Sequence, residues 1–216
     1  MDLEYVITTI VGVVIAYVVP RVLKEAEKEI APSGVQVKWF QWCLGNAIGT
    51  ALGATIGVLV TIGIGPLSFG GMVNWAVFGA SVGILQWFAV RRYLGVGSGW
   101  AVASAAGWAM FALYDALSGK SVFSPESWIV AGLSVGILQW LSLRLSGTRS
   151  SGWWVIANPV AWLVGALIGA LYVYPLAVPA GPIVSWIACW GMVGVVGGII
   201  LTIPLVRMPM KRQNSG

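Results

Sequence analysis

The chain has 216 residues, of which 58% are hydrophobic and only 9% charged, and its mean hydropathy is +0.89. A soluble domain carries about a quarter charged residues, so this composition cannot cover a water-facing surface and requires a bilayer. Histidine is absent, which removes the usual haem ligand, the commonest zinc ligand and the commonest general base.

A hydrocarbon core about 30 Å thick takes about 20 apolar residues per helix. Seven stretches come up to that length, at 3–20, 38–64, 71–90, 97–117, 128–145, 152–175 and 183–206, numbered here as spans 1 to 7. Span 1 follows the acidic residues Asp2 and Glu4 and has no basic flank before it. It therefore lacks the n-region of a cleaved signal peptide and is expected to stay in the mature protein. Residues 21–30 are the one strongly charged run, with Val22, Leu23, Ala26 and Ile30 on one helical face and Lys and Glu around the rest. Such a face suits a short interfacial helix, or a docking surface for a partner. Together, residues 1–37 form an amino-terminal helix and amphipathic segment, and residues 38–216 a six-helix unit with a basic tail.

The later spans are separated by turn chemistry: Gly65-Pro66 through Gly70-Gly71, Gly95-Val96-Gly97-Ser98-Gly99, Ser118-Gly119-Lys120, Ser146-Gly147-Thr148-Arg149 and Pro179-Ala180-Gly181-Pro182. Eleven of the twelve Lys and Arg fall on one side of the resulting topology, and Lys120 stands alone on the other. The positive-inside rule then predicts an external amino terminus and a cytoplasmic carboxyl terminus, as in a bacterial inner-membrane protein. The net charge of +5 belongs to those cytoplasmic loops and is no sign of nucleic acid. Trp39, Trp42, Trp100, Trp153 and Trp154 fall at cytoplasmic helix starts, and Trp75, Trp128 and Trp186 at outer ones. That placement predicts two interfacial aromatic belts.

Spans 3 and 5 share seven consecutive residues, Ser81-Val82-Gly83-Ile84-Leu85-Gln86-Trp87 and Ser134-Val135-Gly136-Ile137-Leu138-Gln139-Trp140. At the same offset Trp75 matches Trp128, Gly79 matches Gly132 and Arg91 matches Arg144. Span 7 aligns more weakly through Trp190, Gly194, Gly198 and Arg207, with Leu201-Thr202 in place of Gln-Trp. The even spans align too: Trp42, Trp100 and Trp154; Asn46, Ser104 and Asn158; then Thr50, Trp108 and Trp162. The predicted fold is therefore an all-α integral membrane protein of seven transmembrane helices. Helix 1 is followed by three parallel hairpins (spans 2–3, 4–5 and 6–7) about a pseudo-threefold axis along the membrane normal, unlike the inverted repeats of many transporters. Gly45, Gly49, Gly53 and Gly57 form a stripe on span 2, and four-residue glycine pairs recur on spans 3, 5, 6 and 7. Small residues at that spacing let helices pack closely in lipid, so a tight bundle is expected and not a wide pore.

Asn46, Gln86, Ser104, Gln139 and Asn158 all fall roughly 6–8 Å inside the cytoplasmic interface, at 1.5 Å of rise per residue. They can form a polar ring at one depth. Interhelical hydrogen bonding is the simpler role for it; a shallow ligand site for a headgroup or other polar group is the functional one. Pro159 is expected to free the carbonyl of Val155, kink span 6 and open a cleft. Asp115 sits within a turn of the outer end of span 4, so the midplane carries no acid, base or cation. Ion-coupled transport is then not expected. Every lysine lies outside the spans, which excludes a retinal Schiff base. Cys43 and Cys189 fall near opposite faces of the bilayer and cannot bridge within one bundle. No metal set, phosphate loop or paired carboxylates are present, so no catalytic residue and no metal site are assigned.

The repeated Gly-Ile-Leu-Gln-Trp, followed by Val90-Arg91 or Leu143-Arg144 and alternating with a Gly152-Trp153-Trp154-Val155-Ile156-Ala157 type of helix start, resembles a group of uncharacterised multi-pass bacterial membrane proteins. The resemblance covers residues 38–207, departs from the pattern in span 7, and implies no catalytic residues. Photosynthetic bacteria are well represented in that group, which implies a photosynthetic membrane as one setting. The expected function is a non-catalytic accessory or scaffold subunit of a larger membrane complex, photosynthetic or respiratory, with lipid and other membrane subunits as partners. Haem and retinal are not expected; a carotenoid, a chlorophyll-type pigment or a lipid is compatible with apolar aromatic clefts. The alternative is a carrier or binder of a lipid or other hydrophobic small molecule.

Overall fold

The computed structural model describes residues 39–64, 68–119, 124–147 and 152–206. Span 1, the charged run 21–30, Lys120, Arg149 and the tail from Arg207 lie outside them. The described residues form helices and turns with no strand among them. Six long helices follow in order: α1 Trp39–Ile64, α2 Ser68–Leu94, α3 Gly99–Ser118, α4 Pro125–Leu145, α5 Trp153–Ile168 and α6 Pro182–Val206. They correspond to spans 2 to 7. Between α5 and α6 the chain continues through a π-helical turn, Gly169–Val173, one α-turn, Tyr174–Ala177, and a 3-10 turn, Val178–Ala180.

The expected breaks are where the helices end. Gly95, Gly119, Gly147 and Gly181 all take positive φ, a region that costs other L-residues about 1–2 kcal/mol. Gly119 caps α3 at φ 63° with nothing near it that a methyl group would strike. Gly119→Ala is therefore expected to destabilise the protein by about 1–2 kcal/mol through the backbone alone, measured by denaturant titration in mixed micelles. At the start of α4, the Ser124 hydroxyl accepts from the Ser127 amide at 3.3 Å, with Pro125 in the first turn. That is standard N-cap chemistry, and it starts the helix three residues before the expected 128.

Each helix packs on its neighbours in sequence, and α6 returns to pack on α1, so the six form a closed ring. Glycine makes every interface in it. A Cβ added at Gly49 would lie no more than 3.0 Å from Val82, at Gly83 from Ser104, at Gly107 from Val135, and at Gly165 from Val193. Gly132 is set directly against the Pro159 backbone, and Gly194 against the Asn46 backbone. In lipid, where apolar side chains gain little by leaving the solvent, this close approach is what holds helices together. The paired residues run in opposite directions along each pair of helices, as in Gly79 and Gly83 of α2 against Trp108 and Ala101 of α3. The ring is thus antiparallel throughout.

Five of the helical segments are long and apolar enough to cross a membrane: Phe40–Val60, Gly71–Arg91, Pro125–Leu145, Trp153–Ala180 and Pro182–Leu205. The helix expected over 97–117 forms as α3 but is not among the five. Its Gly, Ser, Trp and Asp115 content lowers its hydropathy, although Val102, Met110, Leu113 and Leu117 are exposed on its outer face. Helical structure also continues through Pro159, which rests against Gly132 in the α4–α5 contact. The irregularity in this part of the chain is the π-helical turn ten residues further on.

The tryptophans correct a second expectation. Trp42, Trp100 and Trp154 are completely buried, and Trp128 nearly so. They are core residues and not an interfacial belt. In the Trp153-Trp154 pair the first is 58% exposed and the second wholly enclosed, because adjacent helical positions point about 100° apart. Two aromatic layers fill the ring as a result. Near the end that carries Arg91 and Arg144, the Trp154 ring lies 5.4 Å from Trp100 and 6.2 Å from Trp42. Toward the opposite end, Trp75, Trp128 and Trp190 form a triangle with centroids 5.8–6.5 Å apart. Phe78, Trp108 and Trp162 pack edge-to-face beneath it at 4.6–6.0 Å. Offset and edge-on contacts of this kind add about 0.5–1.5 kcal/mol per pair beyond burial.

Candidate functional site

Gln86 and Gln139 sit three residues after Gly83 and Gly136, on the faces that α2 and α4 turn inward. With Asn46, Ser104 and Asn158 they are all 1–2% exposed. At such burial every amide needs a partner, and here the partners are one another. The Gln86 Nε2 donates to Asn46 Oδ1 at 2.8 Å. The Gln139 Nε2 donates to Gln86 Oε1 at 2.9 Å and to Ser104 Oγ at 2.8 Å. Four of the five expected ring residues are therefore joined directly. Asn158 joins indirectly, its Nδ2 donating to the Trp154 carbonyl at 3.0 Å.

Indole N–H groups complete the arrangement. Trp100 donates to Gln86 Oε1 at 3.1 Å and Trp154 to Gln139 Oε1 at 3.2 Å. The corresponding tryptophan of α1, Trp42, faces a helix with Leu201 where the others have glutamine. Its indole donates to the Gly198 carbonyl at 3.0 Å, which also accepts from Thr202 Oγ1 at 2.8 Å. The three residues one turn on behave alike: Asn46, Ser104 and Asn158 each donate back to the carbonyl of the tryptophan four residues earlier. Thr50 adds a bond from its hydroxyl to the Trp190 carbonyl at 2.7 Å. Side-chain hydrogen bonds thus cross the α6–α1, α1–α2, α2–α3, α3–α4 and α4–α5 contacts, and the Gln86–Gln139 bond spans the centre of the ring.

Of these partners, the indoles and Thr50 lay outside the expected ring. The signal for them was present: Trp100 and Trp154 precede Ser104 and Asn158 by four residues, so they share a face and reach the same depth as the glutamines. A tryptophan at a helix end suits a membrane interface equally well, so the shared face alone does not decide between the two places. Below this layer, Arg91 lies over Trp87 at 4.9 Å and Phe88 at 4.7 Å, and Arg144 over Trp140 at 5.0 Å. These are cation–π contacts one helical turn long, with the charge at the bundle's end.

A second site was not expected from the sequence. At the end opposite the arginines, a cavity of about 370 Å³ opens between the start of α4, the π-helical turn after α5, and the first half of α6. Trp128, Leu171, Tyr174, Trp186, Cys189 and Trp190 are among the residues around it. It does not lie at Pro159, where a cleft was expected. A π-helical turn widens the helix by one residue per turn, and such an insertion carries no compositional mark. The buried Trp186 indole N–H has no hydrogen-bond partner. Cys43 and Cys189 are free thiols. Among the described residues no group of three His, Cys, Asp or Glu is placed to hold a metal.

Comparison of the chain with protein-family models, with curated proteins and with solved structures finds no match.

Proposed function

We infer that this chain is a non-catalytic polytopic membrane protein that serves as an accessory or scaffold subunit of a larger bacterial membrane complex, photosynthetic or respiratory. The observation that carries this reading is the interior of the ring. Its buried amides are spent on one another, on Ser104 and on the indoles of Trp100 and Trp154, and much of the remaining interior is filled by tryptophan and phenylalanine, so what the protein chiefly offers other molecules is its outer surface. That surface is apolar along its length, with Phe40, Leu52, Leu59, Phe88, Val102, Leu117, Ile156 and Leu176 all exposed. It suits lipid and the transmembrane helices of partner subunits.

The six helices are read as three hairpins, α1–α2, α3–α4 and α5–α6, related by a pseudo-threefold axis, with span 1 as a seventh crossing. The shared back-bonding of Asn46, Ser104 and Asn158 and the triangle of Trp75, Trp128 and Trp190 support that reading. α3 is taken to cross with the others, since it lies between α2 and α4 and its outer face is as apolar as theirs. The loop charges support an external amino terminus in a bacterial inner membrane. A second reading, a binder of a hydrophobic small molecule, is favoured by the lateral cavity.

Native mass is the test. Extracted gently from its own membranes, the chain is expected to run in an assembly well above 22.8 kDa together with other subunits. An absorption spectrum of the same fraction identifies any pigment. A lone chain or a small homo-oligomer would overturn the subunit reading.

A further inference from the structure

The cavity beside the π-helical turn is placed and shaped for one chain of a membrane lipid. On α4 it is lined by Trp128 and Pro125, one and two turns outward from Gly132, where that helix touches the Pro159 backbone. On α5 and the turns after it, the lining is Ala166, Ala170 and Tyr174, all on the outward side of Pro159. Two helices in glycine contact lower down are thus parted by a cavity at this end. Pro125 and Ala170 are exposed, as are Leu171 and Tyr174 at 42% and 41%, whereas Trp128, Ala166, Trp190 and Val193 are buried. The mouth therefore lies between α4 and α5, and the floor lies within the ring. A molecule dissolved in the bilayer enters from the side without passing through water.

Dimensions and lining narrow the occupant. The volume of about 370 Å³ falls within the range of small-molecule pockets, roughly 300–1,000 Å³. Pro125 is the first residue of α4, so the mouth begins at the level where that helix starts. Trp186 and Val193 both line the cavity, seven residues apart on α6, so it runs about 10 Å along the helix axis. It is long in the direction of the membrane normal, as an acyl chain is, and leads from a helix end toward the hydrocarbon. The described residues around it are aliphatic or aromatic, apart from Cys189. A void left empty forfeits the dispersion contacts of such a lining, so a chain that fills it is held more firmly than one that only borders the outer surface. Tyr174, at the outer end, is of the amphipathic kind that suits the headgroup level.

We propose that this cavity holds one acyl chain of a phospholipid from the leaflet away from Arg91 and Arg144. The glycerol and headgroup stay at the level of Pro125 and Tyr174, and the upper part of the chain lies on the floor of Trp128, Ala166 and Val193. The proposal rests on the cavity as a binding site and is independent of whether the chain works alone or as a subunit.

The test uses the whole purified chain in nanodiscs of dioleoyl phosphatidylcholine, released from them in a native mass spectrometer. An excess of the chain carrying one phospholipid is expected, above the smooth distribution that surface lipid leaves. Ala170→Phe, which places a ring in the mouth from an exposed position, is expected to lower that species by about tenfold or more. Ala170→Leu intrudes less and is expected to lower it to a smaller extent. Val102→Phe, on the outer face of α3 at a position 67% exposed, is expected to leave it unchanged. Circular dichroism establishes that each variant keeps its helices. A smooth distribution for the unaltered chain overturns the proposal whatever the variants do. So does a one-lipid excess that the folded Ala170 variants retain in full. Retention of a compound other than phospholipid, carried through purification and expelled by Ala170→Phe, assigns the cavity to that compound and also overturns the acyl chain. Because the chain is measured in isolation, each of these results is separate from the native mass that tests the subunit reading.

Discussion

Gln139→Leu is expected to destabilise the bundle by about 2–3 kcal/mol. The substitution removes three hydrogen bonds at once, to Gln86, Ser104 and Trp154. Inside membranes such bonds average about 0.6 kcal/mol each, because the separated helices also find partners. The remainder comes from the Trp154 indole, which is completely buried and would be left without an acceptor. Gln86 is expected to behave similarly, since its removal orphans the Trp100 indole and breaks the bond to Asn46. The two amides share one hydrogen bond, so their effects do not add. A double-mutant cycle with Gln86→Leu is expected to return a coupling of about 0.5–1 kcal/mol, measured by unfolding in mixed micelles of rising sodium dodecyl sulfate. Single variants that cost nothing would show that the network is incidental to stability.

Gly132→Ala is expected to cost about 1–3 kcal/mol, the range for overpacking a filled contact. The added methyl would meet the Cα and N of Pro159, which are backbone atoms in a proline ring and cannot turn aside. Gly191 supplies the control. It lies in α6 with nothing within 4 Å of an added Cβ, so Gly191→Ala gains helix propensity without a clash. It is expected to stabilise by up to about 1 kcal/mol. Opposite signs for the same chemical change, read in the same micelle titration, would separate steric closure of the ring from general helix propensity. Loss of stability at both positions would contradict the packing described here.

Much of the bundle was legible because its signals are local. The glycines at 95, 119, 147 and 181 ended helices where expected, since a positive φ depends on the residue and its neighbours alone. The glycine stripes marked the contact faces for the same kind of reason: a missing side chain leaves a groove whatever lies opposite. The depth of Asn46, Gln86, Ser104 and Gln139 followed from counting residues from the helix ends. Their partners could not be read in that way. Whether Gln139 meets a lipid headgroup, water or Gln86 depends on how α2 and α4 rotate about their axes, and no spacing within one helix reports that angle.

Tryptophan shows the limit most plainly. Its presence near a helix end is equally consistent with an interface and with a core, because the indole is large, apolar and carries one donor. Trp153 and Trp154 divide between the two roles, and only closure of the ring decides which is which. The cavity has the same origin. It lies beside the π-helical turn that follows α5, and a local change of helical winding leaves no trace in composition.

What the amino-acid sequence determined by itself was the apolar composition, the places of the six described helices, their breaks and the glycine faces, all set by hydropathy and backbone sterics within a single segment. What the tertiary structure decided was the closed order of the helices, the burial of Trp42, Trp100 and Trp154, the pairing of the amides and the lateral cavity. These depend on the relative rotation of six helices that pack together at once, and that is a property of the bundle and not of any one of its segments.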